Sequence, residues 1–137
     1  MNFSKTSKYA LRILGHMAKR ESDLFSAQQL HKEIDIPEKY LRRLLTDLSK
    51  SGFIKSTQGR NGGFTFSRSI SEIYLSEIVD SIDGLDSING CILGYESCAF
   101  NHSCPMHEIW EITKRNVIET LSKTSLKDIH LKTMNRY

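Results

Sequence analysis

Long apolar runs are absent from this sequence. No segment approaches the ~20 consecutive apolar residues that a membrane-spanning helix needs, and the apolar positions after Tyr9 are interrupted by Arg12, His16 and Lys19. This pattern predicts neither a membrane span nor a secretory signal, so we expect a cytoplasmic protein with no membrane partner. Internal repeats and low-complexity segments are also lacking, and the 137 residues predict one domain with an appendage.

Cysteine is scarce and unevenly placed. The chain has three cysteines, which cannot all pair within one chain, and reducing compartments disfavour structural disulfides. Cys91, Cys98 and Cys104 share one short segment with His107. Three thiols and an imidazole predict metal or redox chemistry, with a zinc ion or an iron–sulfur cluster as the bound group.

The spacing of these four candidate ligands favours the cluster. Six residues separate the first two cysteines, five the next two, and two precede His107, whereas zinc modules usually use tighter cysteine pairs. Pro105 predicts a helix start, so Cys104 lies at a helix end whose positive dipole favours a thiolate. His102 and Glu96 are competing ligands, and His107 is preferred because it stands on the helix. No third residue that would orient a Cys–His nucleophile pair is readable, so we predict no enzyme.

Charge is segregated along the chain. Residues 1–68 hold 13 Lys and Arg against 6 Asp and Glu, whereas residues 69–137 hold 6 against 10. A basic first half indicates a polyanionic partner for that half.

The pattern between Ser4 and Gly52 predicts three helices. The first runs from about Ser4 to Lys19, the second follows Ser26 as its N-cap, and the third begins at Pro37. In the third helix one face is apolar, formed by Leu41, Leu44, Leu45 and Leu48. The opposite face carries cations and a hydroxyl, which are the donors that a DNA recognition helix presents: Lys39, Arg42, Arg43, Thr46 and Lys50.

A β-hairpin is predicted next. Two β-prone runs, Phe53–Thr57 and Phe64–Ser67, flank a glycine-rich turn that places Arg60 and Asn61 at its tip, where they can enter a DNA groove. The turn lacks the Gly-Lys-Ser/Thr sequence of a nucleotide-binding loop. The fold class is therefore mainly α with a small β-hairpin: a winged helix-turn-helix domain over residues 1–83 that binds double-stranded DNA.

The second half predicts a short helix over Tyr74–Ile82, a candidate ligand loop over residues 84–105 without sustained periodicity, and a dimerisation helix with a loose tail over residues 106–137. The long helix runs from about Pro105 to Ser122, and Ser125 caps a final short helix. The apolar surface of the long helix exceeds what a solvated helix needs, so we expect a homodimer. The predicted dimerisation residues are Ile109, Trp110, Thr113, Val117 and Leu121.

In this order the motifs resemble the IscR/NsrR-type winged-helix iron–sulfur transcriptional regulators over about residues 1–130. The similar segments are residues 1–12, 36–54 and 59–64, and the cysteines followed by residues 105–110. The resemblance implies a homodimer on a palindromic operator, with a cluster that controls DNA affinity. In the IscR-like arrangement a histidine three positions after the last cysteine completes the ligand set, as His107 does here.

An aspartate from the partner's first helix replaces that histidine in other members, and Lys8 occupies that position here. A 2Fe–2S cluster is therefore favoured, with a 4Fe–4S cluster as the alternative. The sequence departs from the IscR pattern in two places. The gap after Cys91 is one residue longer, and Arg42 occupies a position where IscR-like proteins can carry an acidic residue. A zinc-stabilised or thiol-switched DNA-binding regulator is the alternative function.

Overall fold

The winged-helix domain begins the chain and the long helix follows it. The computed structural model describes residues 3–95, 99–101 and 103–134, without the side chains at 87, 89 and 132–134. In chain order the elements are α1 (Lys5–Ala18), α2 (Ala27–Glu33), α3 (Glu38–Lys50), β1 (Ile54–Thr57), β2 (Gly63–Phe66), a 3-10 helix (Ile70–Glu72), α4 (Leu75–Ile82), α5 (Asp86–Asn89), α6 (Pro105–Lys123) and α7 (Leu126–Met134). The predicted fold class is confirmed.

Helix starts follow the capping residues that the sequence offers. Ser4 Oγ accepts from the Ser7 amide and Ser26 Oγ accepts from the Gln29 amide, each at 3.0 Å. Such caps satisfy amide groups that have no partner inside the helix. Pro37 precedes α3 as its N-cap and is not its first helical residue. Gly52 follows α3 with a φ of 86°, the left-handed conformation that ends many helices.

The main core lies among the first three helices and the hairpin. α3 contributes Leu41, Leu44, Leu45 and Leu48, all of them at most 2% exposed. They pack with Ile13, Leu14 and Met17 of α1 and with Phe25. Fully burying a leucine contributes about 1.5–3 kcal/mol, so the apolar stripe of α3 fixes this helix in the domain and leaves its other face to solvent.

The hairpin is tied to the chain before α2. Ile54 pairs with Phe66 and Thr57 with Gly63 in antiparallel register. The amide of Phe25 donates to the Phe64 carbonyl at 2.9 Å, and the amide of Phe64 donates to the Phe25 carbonyl at 2.7 Å. A Cβ at Gly63 would lie 2.5 Å from the Phe25 oxygen, so this close backbone approach requires glycine.

The C-terminal part differs from the prediction in two places. The segment expected to lack helix contains α5, and the final helix continues to Met134 and packs on α1. Leu126 is 1% exposed, and its amide donates to the Ile73 carbonyl at 3.0 Å. The sequence predicts a short final helix capped by Ser125 and a loose tail after it. Contacts with α1 and with the 3-10 helix hold α7 along a greater length. Residues 135–137 lie outside the described part.

Within the described ranges, the structure contains no helix of the length and apolar character that crossing a membrane requires.

Candidate functional site

The outer face of α3 is the centre of the candidate DNA-binding surface. All five residues predicted there are exposed: Lys39, Arg42, Arg43, Thr46 and Lys50. They remain exposed because the leucines on the opposite face hold the helix against the core. The structure brings these side chains together as the periodicity predicted.

The cations of α3 differ in their local partners. Arg42 Nη2 lies 2.9 Å from Glu38 Oε1, and the Thr46 hydroxyl donates to the Arg42 carbonyl at 3.1 Å. Exposed ion pairs of this kind contribute only about 0–1 kcal/mol, yet the guanidinium of Arg42 must be shared with Glu38 or released before it binds DNA. Arg43 has no ion-pair partner among the described residues, so its guanidinium is the one available to a base edge.

The cationic surface continues onto α1, which the sequence reasoning missed. The Tyr9 and Tyr40 rings meet edge-on with centroids 5.4 Å apart. Lys5 Nζ and the Arg12 guanidinium each lie 5.7 Å from the Tyr9 centroid. The signal was in the sequence, since no acid occurs before Glu21, but the basic charge of the first half was not assigned to α1.

The hairpin turn carries the other predicted DNA contacts. Arg60 and Asn61 are exposed at its tip. The Gly62 amide donates to the Gly59 carbonyl at 3.0 Å, and Gly59 has a φ of 111°, which L side chains rarely adopt. The turn therefore presents Arg60 to solvent on a backbone that needs glycine.

The candidate ligand segment joins α5 to α6. Cys91 and Cys104 are half-buried free thiols, and His107 is half-buried in the first turn of α6. Cys104 is the N-cap residue of α6 and its side chain makes no capping hydrogen bond. Cys91 Sγ accepts from the Leu93 amide at 3.4 Å.

The middle cysteine, Cys98, lies outside the described residues, as do the competing ligands Glu96 and His102. No metal-binding group of three or more Cys, His, Asp or Glu side chains occurs in the part of the chain that is described. The remaining donors are the free thiols of Cys91 and Cys104 and the imidazole of His107. They have the soft chemistry that zinc and iron–sulfur clusters require. The residues present therefore fit such a group.

The predicted dimerisation stripe of α6 is divided between two faces. Trp110 and Leu121 are 7% and 9% exposed; Leu121 packs with Val79 and Ile88 of the same chain. Leu121 is covered by α4 and α5 of its own chain and Trp110 is also buried within the chain, so neither lies on the apolar face that α6 leaves exposed. Val117 is half-buried at the same internal cluster, whereas Ile109 is 60% exposed and Thr113 is also exposed.

Trp110 has a positioning role that the sequence did not reveal. Its Nε1 donates to the Gly90 carbonyl at 2.5 Å, and Gly90 directly precedes Cys91. This hydrogen bond joins the second turn of α6 to the start of the ligand segment.

On the same helix, Lys114 forms a hydrogen bond and an ion pair with Glu111 at 2.7 Å. This interaction lowers the pKa of Glu111, and the effect of burial, which acts in the opposite direction, is smaller.

The start of the ligand segment is also bonded to α1. Asp83 Oδ2 accepts from the Ser7 hydroxyl at 2.7 Å and from the Ser4 amide at 3.1 Å. Burial acts to raise the pKa of Asp83, but the hydrogen bonds from Ser4 and Ser7 outweigh it and lower the pKa. Asp83 is thus an anionic cap for the first turn of α1.

These features define a class: a winged helix-turn-helix DNA-binding protein with a thiol-rich segment between its DNA-binding domain and a long helix. A family profile described as Rrf2, an iron-dependent transcriptional regulator, matches residues 3–131. The chain belongs to the Rrf2 family, and it is a transcriptional regulator, not an enzyme. The resemblance drawn from the motifs is confirmed.

Known proteins agree with this assignment. An HTH-type transcriptional regulator of Aquifex aeolicus is 28% identical over 131 residues, covering 94% of this chain and 91% of that protein. The structure of CymR, the global cysteine regulator of B. subtilis, superposes with a TM-score of 0.80 at 23% identity, covering 96% and 98% of the two chains. T. potens IscR superposes with a TM-score of 0.75 at 21% identity, covering 97% and 88%. These two structures establish the fold alone.

Proposed function

We propose that this regulator is a homodimer that binds a palindromic operator and that an iron–sulfur cluster controls its DNA affinity. The observation that carries the proposal is the presence of free thiols at both ends of the segment between α5 and α6, Cys91 and Cys104, together with the imidazole of His107 in the first turn of α6. A cluster bound there would supply chemistry sensitive to iron, oxidants or nitric oxide. Cys91, Cys98, Cys104 and His107 would hold it, with a 2Fe–2S cluster favoured.

The DNA-binding part of the proposal is supported by α3 and the hairpin. Arg43 and Lys50 stand on an exposed helix face, and Arg60 and Asn61 stand on the turn beside it. Arginine pairs with guanine edges and lysine with phosphates. Two such units in a dimer read half-sites about one helical turn apart, so a small change in their separation would alter operator affinity.

Homodimerisation is supported by the part of α6 that its own chain leaves uncovered. Ile109 and Ile112 are 60% and 52% exposed and Met106 is 39% exposed. Apolar side chains of this size on one helix face favour association. The dimer surface is therefore proposed for this face, and Trp110 and Leu121 are excluded from it.

Anaerobic purification with iron, sulfide and absorbance measurements tests the proposal. Coloured protein that contains iron and sulfide is expected, and its colour is expected to be lost in Cys98→Ala and Cys104→Ala. His107→Ala is expected to weaken cluster retention, whereas the matched change His102→Ala leaves it intact. Light scattering on the same sample is expected to give twice the 15.7 kDa of one chain.

Two outcomes would contradict the cluster. Colourless protein with one zinc ion per chain would establish the zinc-stabilised alternative. Colourless, metal-free protein whose DNA binding responds to thiol oxidation would establish the thiol switch. Retained colour in His107→Ala together with loss in His102→Ala would reassign the fourth ligand.

A further inference from the structure

A cavity away from the cysteine segment lies between α1, the turn that precedes α3, and α7, and it shares Arg12 with the cationic surface of α1. Its volume is 380 Å³, and its walls include Arg12 and Gly15 of α1, Lys19 at the C-cap of α1, Asp35 of the turn, and Ile129 and His130 of α7. None of the predicted DNA-contacting or metal-ligating residues lines it. The volume exceeds that of a single inorganic ion and accommodates a small metabolite.

Gly15 leaves an opening in the wall of this cavity that the fold does not require. The residue lies inside α1 without a positive φ, and a Cβ built at this position meets no atom within 4 Å. Glycine inside a helix destabilises it by about 0.5–1 kcal/mol relative to alanine. Glycine at this position therefore lowers helix stability although no neighbouring atom excludes a side chain. The space left by the missing side chain lies between Arg12 and Lys19.

The charges of the cavity favour an anionic ligand. Glu33 also lines it, but its carboxylate is already held by His16 Nε2 at 2.7 Å and by Arg20 Nη2 at 3.1 Å. The remaining charged groups are the cations of Arg12 and Lys19, against the single carboxylate of Asp35. Arginine and lysine are the residues that bind carboxylates and phosphates.

The cavity also has apolar walls. Ile34 and Ile129 line it, and Ile129 is 38% exposed. We propose that the cavity binds a small organic oxyanion, a carboxylate or a phosphate ester, whose charged group contacts Lys19 and Arg12 and whose carbon body packs on Ile129. Such a ligand would contact both α7 and the turn that leads into α3.

Amide NMR titration of the full-length protein tests this site. The probes are glycerol 3-phosphate as the phosphate ester, succinate as the carboxylate, and inorganic phosphate as the anion without a carbon body. Saturable shifts of the Gly15 and His130 amides are expected with one of the organic probes at low-millimolar concentration, and weaker binding with inorganic phosphate. The stronger organic probe identifies the oxyanion class.

Three variants separate a specific site from general charge attraction. Lys19→Gln is expected to weaken binding about tenfold, because hydrogen bonds to charged groups are the stronger ones. The matched control Lys8→Gln, which removes an exposed lysine of the same helix outside the cavity, leaves binding unchanged. Gly15→Ala is expected to raise the melting temperature and weaken binding, so loss of the fold cannot account for its effect.

Three results would overturn the proposal. One is the absence of saturable shifts with all three probes at about 20 mM, where even a millimolar site would be occupied. Another is equal weakening by Lys19→Gln and Lys8→Gln. The third is a result in which inorganic phosphate binds as tightly as the organic probes, in the wild type and in Gly15→Ala alike. Such binding would indicate attraction to surface charge and not to the cavity.

Discussion

Replacing Trp110 with phenylalanine tests how the structure positions the cysteine segment. Trp110 is the single tryptophan of the chain, is 7% exposed, and donates from Nε1 to the carbonyl of Gly90 at 2.5 Å. Phenylalanine keeps an aromatic ring in the same apolar environment and removes the donor. The change therefore releases the residue before Cys91 from α6 while most of the packing stays in place.

The magnitude follows from one hydrogen bond and a small loss of buried area. A protein hydrogen bond contributes a net of about 0.5–1.5 kcal/mol. Gly90 is exposed, so its carbonyl can bond to water and the full desolvation penalty does not apply. With the smaller ring included, we expect a loss of about 1–2 kcal/mol in the free energy of unfolding, or about 3–6 °C in melting temperature for a chain of this size.

The assay uses metal-free and cluster-loaded protein in parallel. Circular dichroism melting of the metal-free protein measures the structural effect without any contribution from a cluster. In the loaded protein, faster release of iron to a chelator is expected, about tenfold, because groups that orient metal ligands commonly have effects of this size. The control is Thr120→Val, since the Thr120 hydroxyl donates to the Asn116 carbonyl of its own helix at 2.8 Å.

Two results would refute this reasoning. If metal-free Trp110→Phe melts within about 1 °C of wild type, the hydrogen bond to Gly90 does not stabilise the segment. If the melting temperature falls but iron release is unchanged, the bond has a structural role only and Cys91 is positioned by other contacts.

Two further predictions concern DNA affinity and pH. Arg43→Ala is expected to weaken binding to selected operator DNA by about 1–3 kcal/mol. Arg42→Ala is expected to weaken it by less, because Glu38 already pairs with Arg42. Fluorescence anisotropy over a salt series measures both losses, and equal losses would contradict the assignment of Arg43 as the stronger DNA contact. The hydrogen bond from His16 lowers the pKa of Glu33 to about 2, so Glu33 stabilises the fold above its unfolded pKa of about 4.5 and this contribution disappears as the pH falls towards 2. Urea unfolding of wild type and Glu33→Gln at pH 6 and pH 2 is expected to show a stability difference at pH 6 only; an equal difference at both pH values would contradict the linkage.

The part of the fold that the sequence predicts well is the part with strong local signals. The leucines of α3 recur at helical spacing and all become buried, and Ser4 and Ser26 cap the helices that follow them. In these segments the local preference and the tertiary packing require the same conformation, so periodicity and capping are sufficient to predict the structure.

The orientation of α6 could not be predicted in the same way. Apolar residues occupy more than half of its circumference, so periodicity does not identify the side that its own chain covers. Ile109 and Trp110 are neighbours in sequence, yet one is 60% exposed and the other 7%. Leu121 is buried by Val79 of α4 and Ile88 of α5, and no local pattern in α6 contains that information. Similarly, the bond between Trp110 and Gly90 depends on residues 20 positions apart.

Both ends of the cysteine segment are attached to the domain that carries α3. Before the segment, Asp83 accepts hydrogen bonds from Ser4 and from Ser7, whose side chain is fully buried in the domain. After it, the end of α6 is bonded to the start of α4, because the Leu75 amide donates to the Thr124 carbonyl at 2.9 Å. These bonds connect α4 and α6, the helices on either side of the segment, to each other and to α1, on which α3 packs.

This arrangement has a consequence for the proposed control of DNA binding. A rearrangement of residues 84–105 that moves Asp83 would remove the anionic cap from the first turn of α1, where an acidic group is stabilising. Because α1 also contributes Lys5 and Tyr9 to the cationic surface beside Lys39 and Arg43, a change in its first turn would alter the shape of the DNA-binding surface within one protomer. In the proposed dimer, control of DNA affinity would therefore not depend only on the spacing of the two recognition helices.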